Sequence, residues 1–217
     1  MTSIFEGKLN GLTNMARDAM LLHHADHGRS TVRVYQWDRP WVTLGRFQNA
    51  TTALVESCQV PWAKRITGGK AVLHGHDVTV GMAIPLSEIP GANPRAVKLV
   101  YRAITAPMIE AMNLCGLPAV LGEEHQSRSV SKSTDCFSVI SGNDIVHAQL
   151  GIKICGCALR LTDRAVLLQA SIPIALPTVD VRSVYAQPAP VYVSELDPIR
   201  LADALQETFD RLTIKGS

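Results

Sequence analysis

Between Thr31 and Ile172 the chain divides into short apolar runs of strand length, closed by glycine, proline or Asx turns. That succession constrains the fold more than any other feature. Thr31 to Trp37 and Trp41 to Phe47 read as two strands broken at Pro40, the second ending near Gly45. Ala63 to His74 reads as strand, glycine turn and strand; Asp77 to Ile84 is a strand closed by Pro85. Cys136 to Ile140, Asp144 to Val146, Ile152 to Leu161 and Ala165 to Ile172 follow as strands, with turns at Gly142-Asn143-Asp144 and Thr162-Asp163-Arg164. Helical spacing governs the borders and one internal stretch. Leu12, Met15, Ala19 and Leu22 line one face of a helix from Leu9 to His27, stopped by Gly28. Thr51 or Thr52 is placed to cap a short helix through Ser57. Asn93 caps a helix with Pro94 at its first position, running to about Cys115, and Pro107 predicts a kink or break in it. Asp197-Pro198 opens a last helix with Leu201, Leu205, Phe209 and Leu212 on one side. The class is α+β, a single domain of mixed or antiparallel central sheets flanked by helices, not a βαβ alternation.

A chain of 217 residues, 47% of them hydrophobic, suffices for one packed core and excludes disorder. Its longest apolar stretches, such as Ala165 to Leu168, fall far short of the ~20 residues that span a bilayer. The N-terminus lacks the basic-then-apolar pattern of a signal peptide. A net charge of +2 is too small to suggest nucleic acid as a partner. The five cysteines are odd in number and form no paired framework, so reduced thiols in a cytoplasm are expected. Cys155-x-Cys157 is tighter than a CxxC motif, and His74-x-His76 flanks a glycine turn without a matching acid or thiol pattern, so no metal site is expected. Residues Gly122 to Thr134, with Ser127, Ser129, Ser131 and Ser133, read as a mobile loop, and Pro177 to Pro190 as a proline-rich connection.

Two segments carry chemistry. In Arg65-Ile66-Thr67-Gly68-Gly69-Lys70-Ala71-Val72, paired glycines let a ligand approach the backbone, whose amides can face a carboxylate or phosphate. A plain hairpin turn explains the same pair equally well. In Gly151-Ile152-Lys153-Ile154-Cys155-Gly156-Cys157-Ala158, Lys153 lies between apolar neighbours. Drawn inward it would meet an anionic partner; by pattern alone it reads as a half-exposed strand lysine.

Together with the early helix, Asn14-Met15-Ala16-x-Asp18, and the hairpin, Arg33-Val34-Tyr35-x-Trp37 then Leu44-Gly45-Arg46-Phe47-Gln48, these segments change the reading. With Leu168-Gln169-Ala170-Ser171-Ile172 they give the chain, from about Gly11 to Ile172, a pattern that resembles the lipoate-protein ligase and octanoyltransferase family, which shares its catalytic fold with biotin-protein ligases. The resemblance implies one biotin/lipoate protein ligase-like catalytic domain over residues 1–217, with no separate C-terminal ligase domain. It implies an enzyme that binds lipoate or octanoate in an apolar slot and passes it to a lysine of a lipoyl carrier domain. Arg65, Thr67, Gly68, Gly69, Ala71, Val72 and His74 match the family's binding turn, and Gly156 and Ala158 its late strand. Lys153 matches the lysine that contacts the acyl carbonyl or adenylate phosphate. Leu44, Val72 and Ile84 are expected to line the slot.

Two chemistries share such a scaffold. A ligase activates lipoate with ATP, accompanied by Mg, to lipoyl-adenylate. A cysteine-dependent octanoyltransferase takes octanoyl from an acyl carrier protein, or another lipoyl domain, as a thioester. Asp135-Cys136-Phe137 stands where the transferases carry their cysteine, and Cys136 is catalytic only on that reading. Asn143-Asp144-Ile145 resembles the ligases, and Leu159 and Ala170 replace the glutamine and glycine usual in transferases. The balance falls on the ligase; the additional C-terminal domain that many ligases need for adenylation is then either dispensable here or supplied by a separate accessory chain. A non-catalytic module that binds lipoyl domains or acyl groups is the remaining alternative.

Overall fold

The computed structural model describes residues 4–125 and 133–214. Its elements in chain order are β1 (Phe5–Leu9), α1 (Gly11–Asp26), β2 (Thr31–Trp37), β3 (Trp41–Leu44), α2 (Ala50–Ala53), β4 (Trp62–Lys64), β5 (Val72–His74) and β6 (Asp77–Pro85). They continue with α3 (Val97–Leu114), β7 (Ala119–Leu121), α4 (Gly122–His125), β8 (Ile145–His147), β9 (Lys153–Leu161), β10 (Ala165–Pro173) and α5 (Pro198–Ile214). A seven-stranded sheet runs β1-β2-β6-β10-β9-β8-β7, and a three-stranded sheet runs β4-β3-β5. Among the named strands, β1 pairs with β2 and β3 with β4 in parallel, so both sheets are mixed; an isolated parallel bridge also joins Ala71 and Asp135. Thus the α+β class expected from the strand-rich middle is the class observed.

The long strands β6 and β10 are buried along their whole length at the centre of the large sheet. Val80, Met82 and Ile84 of β6 pack with Val166, Leu168 and Ala170 of β10 beneath α3 and α5. None of the helices is long and apolar enough to cross a membrane, among the described residues.

The local departures from sequence expectation have identifiable causes. Leu9 ends a strand rather than starting a helix, because Asn10 caps α1 by accepting the Thr13 amide at 3.0 Å. Asn49, not Thr51 or Thr52, caps α2. Asn93 closes a turn, its carbonyl accepting the Ala96 amide at 3.0 Å, and α3 begins only at Val97. Pro107 does not interrupt α3; its carbonyl accepts the Thr208 hydroxyl of α5 at 2.9 Å, and packing against α5 holds the helix together. Asp135 accepts the Phe137 amide at 3.0 Å and winds Cys136–Ser138 into a 3-10 turn where a strand was expected. Of the expected mobile loop, Gly122–His125 is helical and Thr134 donates to the Ala53 carbonyl at 2.7 Å. Ser127, Ser129 and Ser131 lie outside the described residues.

One buried network joins the motifs of the early helix and first hairpin. Arg33 of β2 pairs with Asp18 of α1 at 2.6 Å and donates to Asn14 Oδ1 at 2.9 Å; Tyr35 donates to the second Asp18 oxygen at 2.7 Å. Asn14 and Asp18 are four residues apart, so one helix face presents both to the strand. Removing the cation strands a buried carboxylate. Arg33→Met is therefore expected to cost about 3–5 kcal/mol, read as a lower urea midpoint at unchanged slope. A loss below about 1 kcal/mol would show that the pair is dispensable.

Candidate active site

The turn between β4 and β5 is built around Arg65. Its guanidinium lies inside the turn and donates to the carbonyls of Gly68 at 2.7 Å and Lys70 at 2.6 Å, and to that of Thr43 in β3 at 3.0 Å. Gly69 takes a φ of +87°, a conformation L side chains rarely adopt. Thr67 is buried and donates to Gln169 of β10 at 2.6 Å, which seats the turn on the large sheet.

The turn then captures the thiol segment. The Ala71 amide donates to the Thr134 carbonyl at 3.0 Å, and the Cys136 amide to the Ala71 carbonyl at 2.9 Å. Gly156 of β9 faces the sulfur; a Cβ there would lie 3.3 Å from Cys136 Sγ and 3.5 Å from Phe137. A side chain at 156 would therefore crowd the thiol.

Lys153 is buried, not half-exposed as the pattern alone suggested. Its ammonium pairs with Asp144 at 2.8 Å and donates to the carbonyls of Cys136 at 2.8 Å and Val139 at 3.3 Å. Cys136 Sγ stands 3.6 Å from the same nitrogen. Burial works against the lysine's charge, but the neighbouring Cys136 sulfur and the Asp144 carboxylate outweigh it and hold the ammonium protonated beyond its ordinary range. Burial raises the Cys136 thiol above its usual value; Lys153 and then Arg65 pull it down, while Asp144 and Asp135 push it up.

Cys136 and Arg65 line a cleft whose walls include Met15, Val72, His74, Ala158 and Gln169. Val72 is the one expected wall residue that lines it. Leu44 packs under the small sheet with Ala53 and Leu73, and Ile84 lies in the main core. Strand alternation identifies which side chains share a face, not which face meets a ligand. His74 is anchored on both ring nitrogens, 2.7 Å from Asp77 Oδ2 and 2.9 Å from Thr43 Oγ1, and stacks on Trp37 with centroids 4.0 Å apart. Burial alone would raise the Asp77 carboxyl; His74 above all, then His76 and Ser171, hold it at about 2. Cys155 and Cys157 are free thiols with sulfurs 3.7 Å apart, and Cys157 reaches the cleft.

Of the residues singled out from sequence, Arg65, Val72, His74, Cys136, Gly156 and Ala158 line one cleft; Lys153 lies behind it, joined through the Cys136 carbonyl and sulfur, and Thr67, Gly68, Gly69 and Ala71 are not among the lining residues. Sequence reasoning passed over Asp144 as the lysine's partner, and Asp77, Thr43 and Gln169. Asp144 had a usable signal, since a lysine inside a strand requires an acid and Asp144 opens the preceding strand.

A family model described as the lipoyl protein ligase A/B catalytic domain matches residues 10–200. Octanoyltransferase LipM of an Exiguobacterium species is 32% identical over 174 residues, covering 75% of this chain and 62% of that protein. LipM of Anoxybacillus flavithermus is 29% identical over 177 residues, covering 76% and 62%. The chain therefore spans about three fifths of the length of the curated relatives it matches. Among solved structures, a bi-partite lipoate protein ligase of Thermoplasma acidophilum, described with its E2 lipoyl domain, superposes with a TM-score of 0.67 at 17% identity, covering 98% of this chain and 84% of that one. Lipoate-protein ligase A bound with ATP gives 0.68 at 18% identity, covering 94% and 82%. At such identities the structures establish a common fold.

Proposed function

The chain belongs to the lipoyl protein ligase A/B catalytic-domain family, and we propose that within it the chain is a cysteine-dependent acyltransferase that moves octanoyl from an acyl carrier protein to a lysine of a lipoyl domain. The observation that carries this reading is Cys136 Sγ 3.6 Å from the Lys153 ammonium, at a cleft that Cys136 lines together with Arg65 and Val72. A ligase gives that thiol no chemical step, since its nucleophiles are the lipoate carboxylate and then the carrier lysine. The octanoyltransferase relatives weigh the same way, against the ligase favoured by Asn143-Asp144-Ile145 and Leu159. In place of a ligase role, Asp144 takes a local one as the counter-ion of Lys153.

In the first half-reaction the Cys136 thiolate attacks the thioester carbonyl of the donor, forming a C–S bond. The electron pair moves to oxygen, whose charge the Lys153 ammonium stabilises. Collapse expels the donor's thiolate. In the second half, the acceptor ε-amine attacks the acyl-Cys136 carbonyl, the C–N bond forms, and the Cys136 thiolate leaves. The amine's proton passes to solvent. The apolar side chains of Met15, Val72 and Ala158 suit a hydrocarbon tail. Neither ATP nor Mg enters this sequence, and no accessory adenylation domain is required.

The direct test is intact mass after incubation with octanoyl-acyl carrier protein in the absence of nucleotide. One octanoyl group is expected on Cys136, lost on addition of apo lipoyl domain as the domain gains it. Modification of the domain only with ATP and free lipoate or octanoate, and never on Cys136, would restore the ligase reading.

A further inference from the structure

Arg65 matches a substrate-binding position of the family, yet its geometry leaves no N–H for a substrate. Nε donates to Thr67 Oγ1 at 3.1 Å, Nη1 to the carbonyl and hydroxyl of Thr43 at 3.0 and 3.3 Å, and Nη2 to the carbonyls of Gly68 and Lys70. All five donors are spent, and every acceptor is neutral. Among the described residues, no carboxylate pairs with Arg65 within 4.0 Å. Of the other buried lysine and arginine cations among those residues, Arg33 pairs with Asp18 and Glu6 and Lys153 with Asp144.

Two relays hold this uncompensated charge in place. Thr43 links Arg65 to His74 and so to Asp77, and Thr67 links it to Gln169, whose amide donates to Asp18. Each relay ends on a buried carboxylate that does not touch the guanidinium. Ala71, which follows the turn that Arg65 organises, accepts the Cys136 amide, and Arg65 and Cys136 both line the cleft.

The groups that act on the thiol are the cations Lys153 and Arg65, the carboxylates Asp144 and Asp135, and the Tyr185 phenol. Lys153 carries its own carboxylate in Asp144. Asp135 is committed to the amides of Phe137 and Ala189, at 3.0 and 2.8 Å. Arg65 supplies positive charge without a counter-ion in contact.

We propose that Arg65 is a positioning residue that never meets the acyl group, and that its buried, carboxylate-free charge is what sustains the Cys136 thiolate, leaving Lys153 to the oxyanion. The step is a simple ionisation: the S–H proton leaves to solvent and its electron pair stays on sulfur. The proposal rests on the thiol-transferase reading above, but its test does not depend on turnover.

The test is the rate at which iodoacetamide alkylates Cys136, followed by peptide mass over about pH 6 to 10 in the folded full chain. Arg65→Met is expected to slow alkylation near pH 7 about tenfold or more, the effect of one pKa unit on the thiolate fraction. Arg65→Lys should recover part of that rate, because it restores the charge but not the five-donor fork. Equal rates in wild type and Arg65→Met overturn the proposal, as do equal losses in the Met and Lys variants. Should Arg65→Met not fold, the double variant Lys153→Met/Asp144→Asn decides. It removes a cation together with its carboxylate, so more than a tenth of the wild-type rate is expected to remain; a steeper fall overturns the proposal. If wild-type Cys136 never takes up octanoyl, the transferase reading fails and the alkylation result still stands. If octanoyl is taken up and Arg65→Met alkylates like wild type, only the role of Arg65 fails.

Discussion

Cys136→Ser is expected to reduce octanoyl transfer by about a thousandfold or more, with no acyl-enzyme detectable by intact mass. The serine hydroxyl would occupy nearly the same place, 3.6 Å from Lys153 in the parent geometry, but would not be ionised. Among the described residues, the side-chain group in contact with the Cys136 sulfur is the Lys153 ammonium, not a base. Lys153 is held protonated by Asp144 at 2.8 Å, so it stabilises an anion and does not abstract a proton. A thiol in this field needs only partial ionisation to react, since the thiolate is the nucleophile. The measurement is octanoylated lipoyl domain formed per unit time from octanoyl-acyl carrier protein. Near-normal turnover in Cys136→Ser, or in Cys136→Ala, would remove the covalent step and return the site to acyl-adenylate chemistry.

The cleft was legible in the sequence because its parts lie in contiguous motifs whose residue types have few other uses. Arg-x-Thr-Gly-Gly carries a turn, a buried cation and a positive φ in five positions, and the structure uses all three. Lys153 was visible as a lysine among apolar neighbours, but its burial was not, because strand alternation gives no sign of what covers a face. Asp144 supplies the missing term: a carboxylate on the turn before β8 makes an interior ammonium tolerable. The same limit hid the roles of Thr43, Asp77 and Gln169. Each is an ordinary strand residue until β3, β6 and β10 are brought together, and Gln169 lies 102 positions from the Thr67 it supports. The missed strand β1 has another cause. Its burial alternates between half-buried and exposed over Phe5–Leu9, and it joins the sheet edge by parallel pairing to β2, a contact no local pattern announces. The 3-10 turn at Cys136–Ser138 was masked by β-prone residues; Asp135, by accepting the Phe137 amide, overrides their propensity.

Lys153→Ala is expected to lower kcat for transfer by about a hundredfold or more, the usual consequence of deleting a group that faces the developing oxyanion. Its oxygen partners are Asp144 Oδ1 at 2.8 Å, the Cys136 carbonyl at 2.8 Å and the Val139 carbonyl at 3.3 Å, with Cys136 Sγ at 3.6 Å beside them. The Val139 contact is the longest of the oxygen contacts and is the one a thioester oxygen can displace at least cost. Asp144 and the Cys136 carbonyl then remain as anchors, and they fix the ammonium beside the sulfur that forms the new bond. Lys153→Arg should rescue little. The larger fork would have to enter a space already set by Asp144, Cys136 and Val139, and it cannot offer a point charge in the ammonium's place. The discriminating measurement pairs single-turnover acylation of Cys136 with its alkylation rate. Acylation should collapse in Lys153→Ala by far more than alkylation, because the oxyanion appears only in the acyl-transfer transition state. Parallel losses in the two rates would mean that Lys153 acts on the thiol alone, and acylation within about threefold of wild type would leave the oxyanion without its cation.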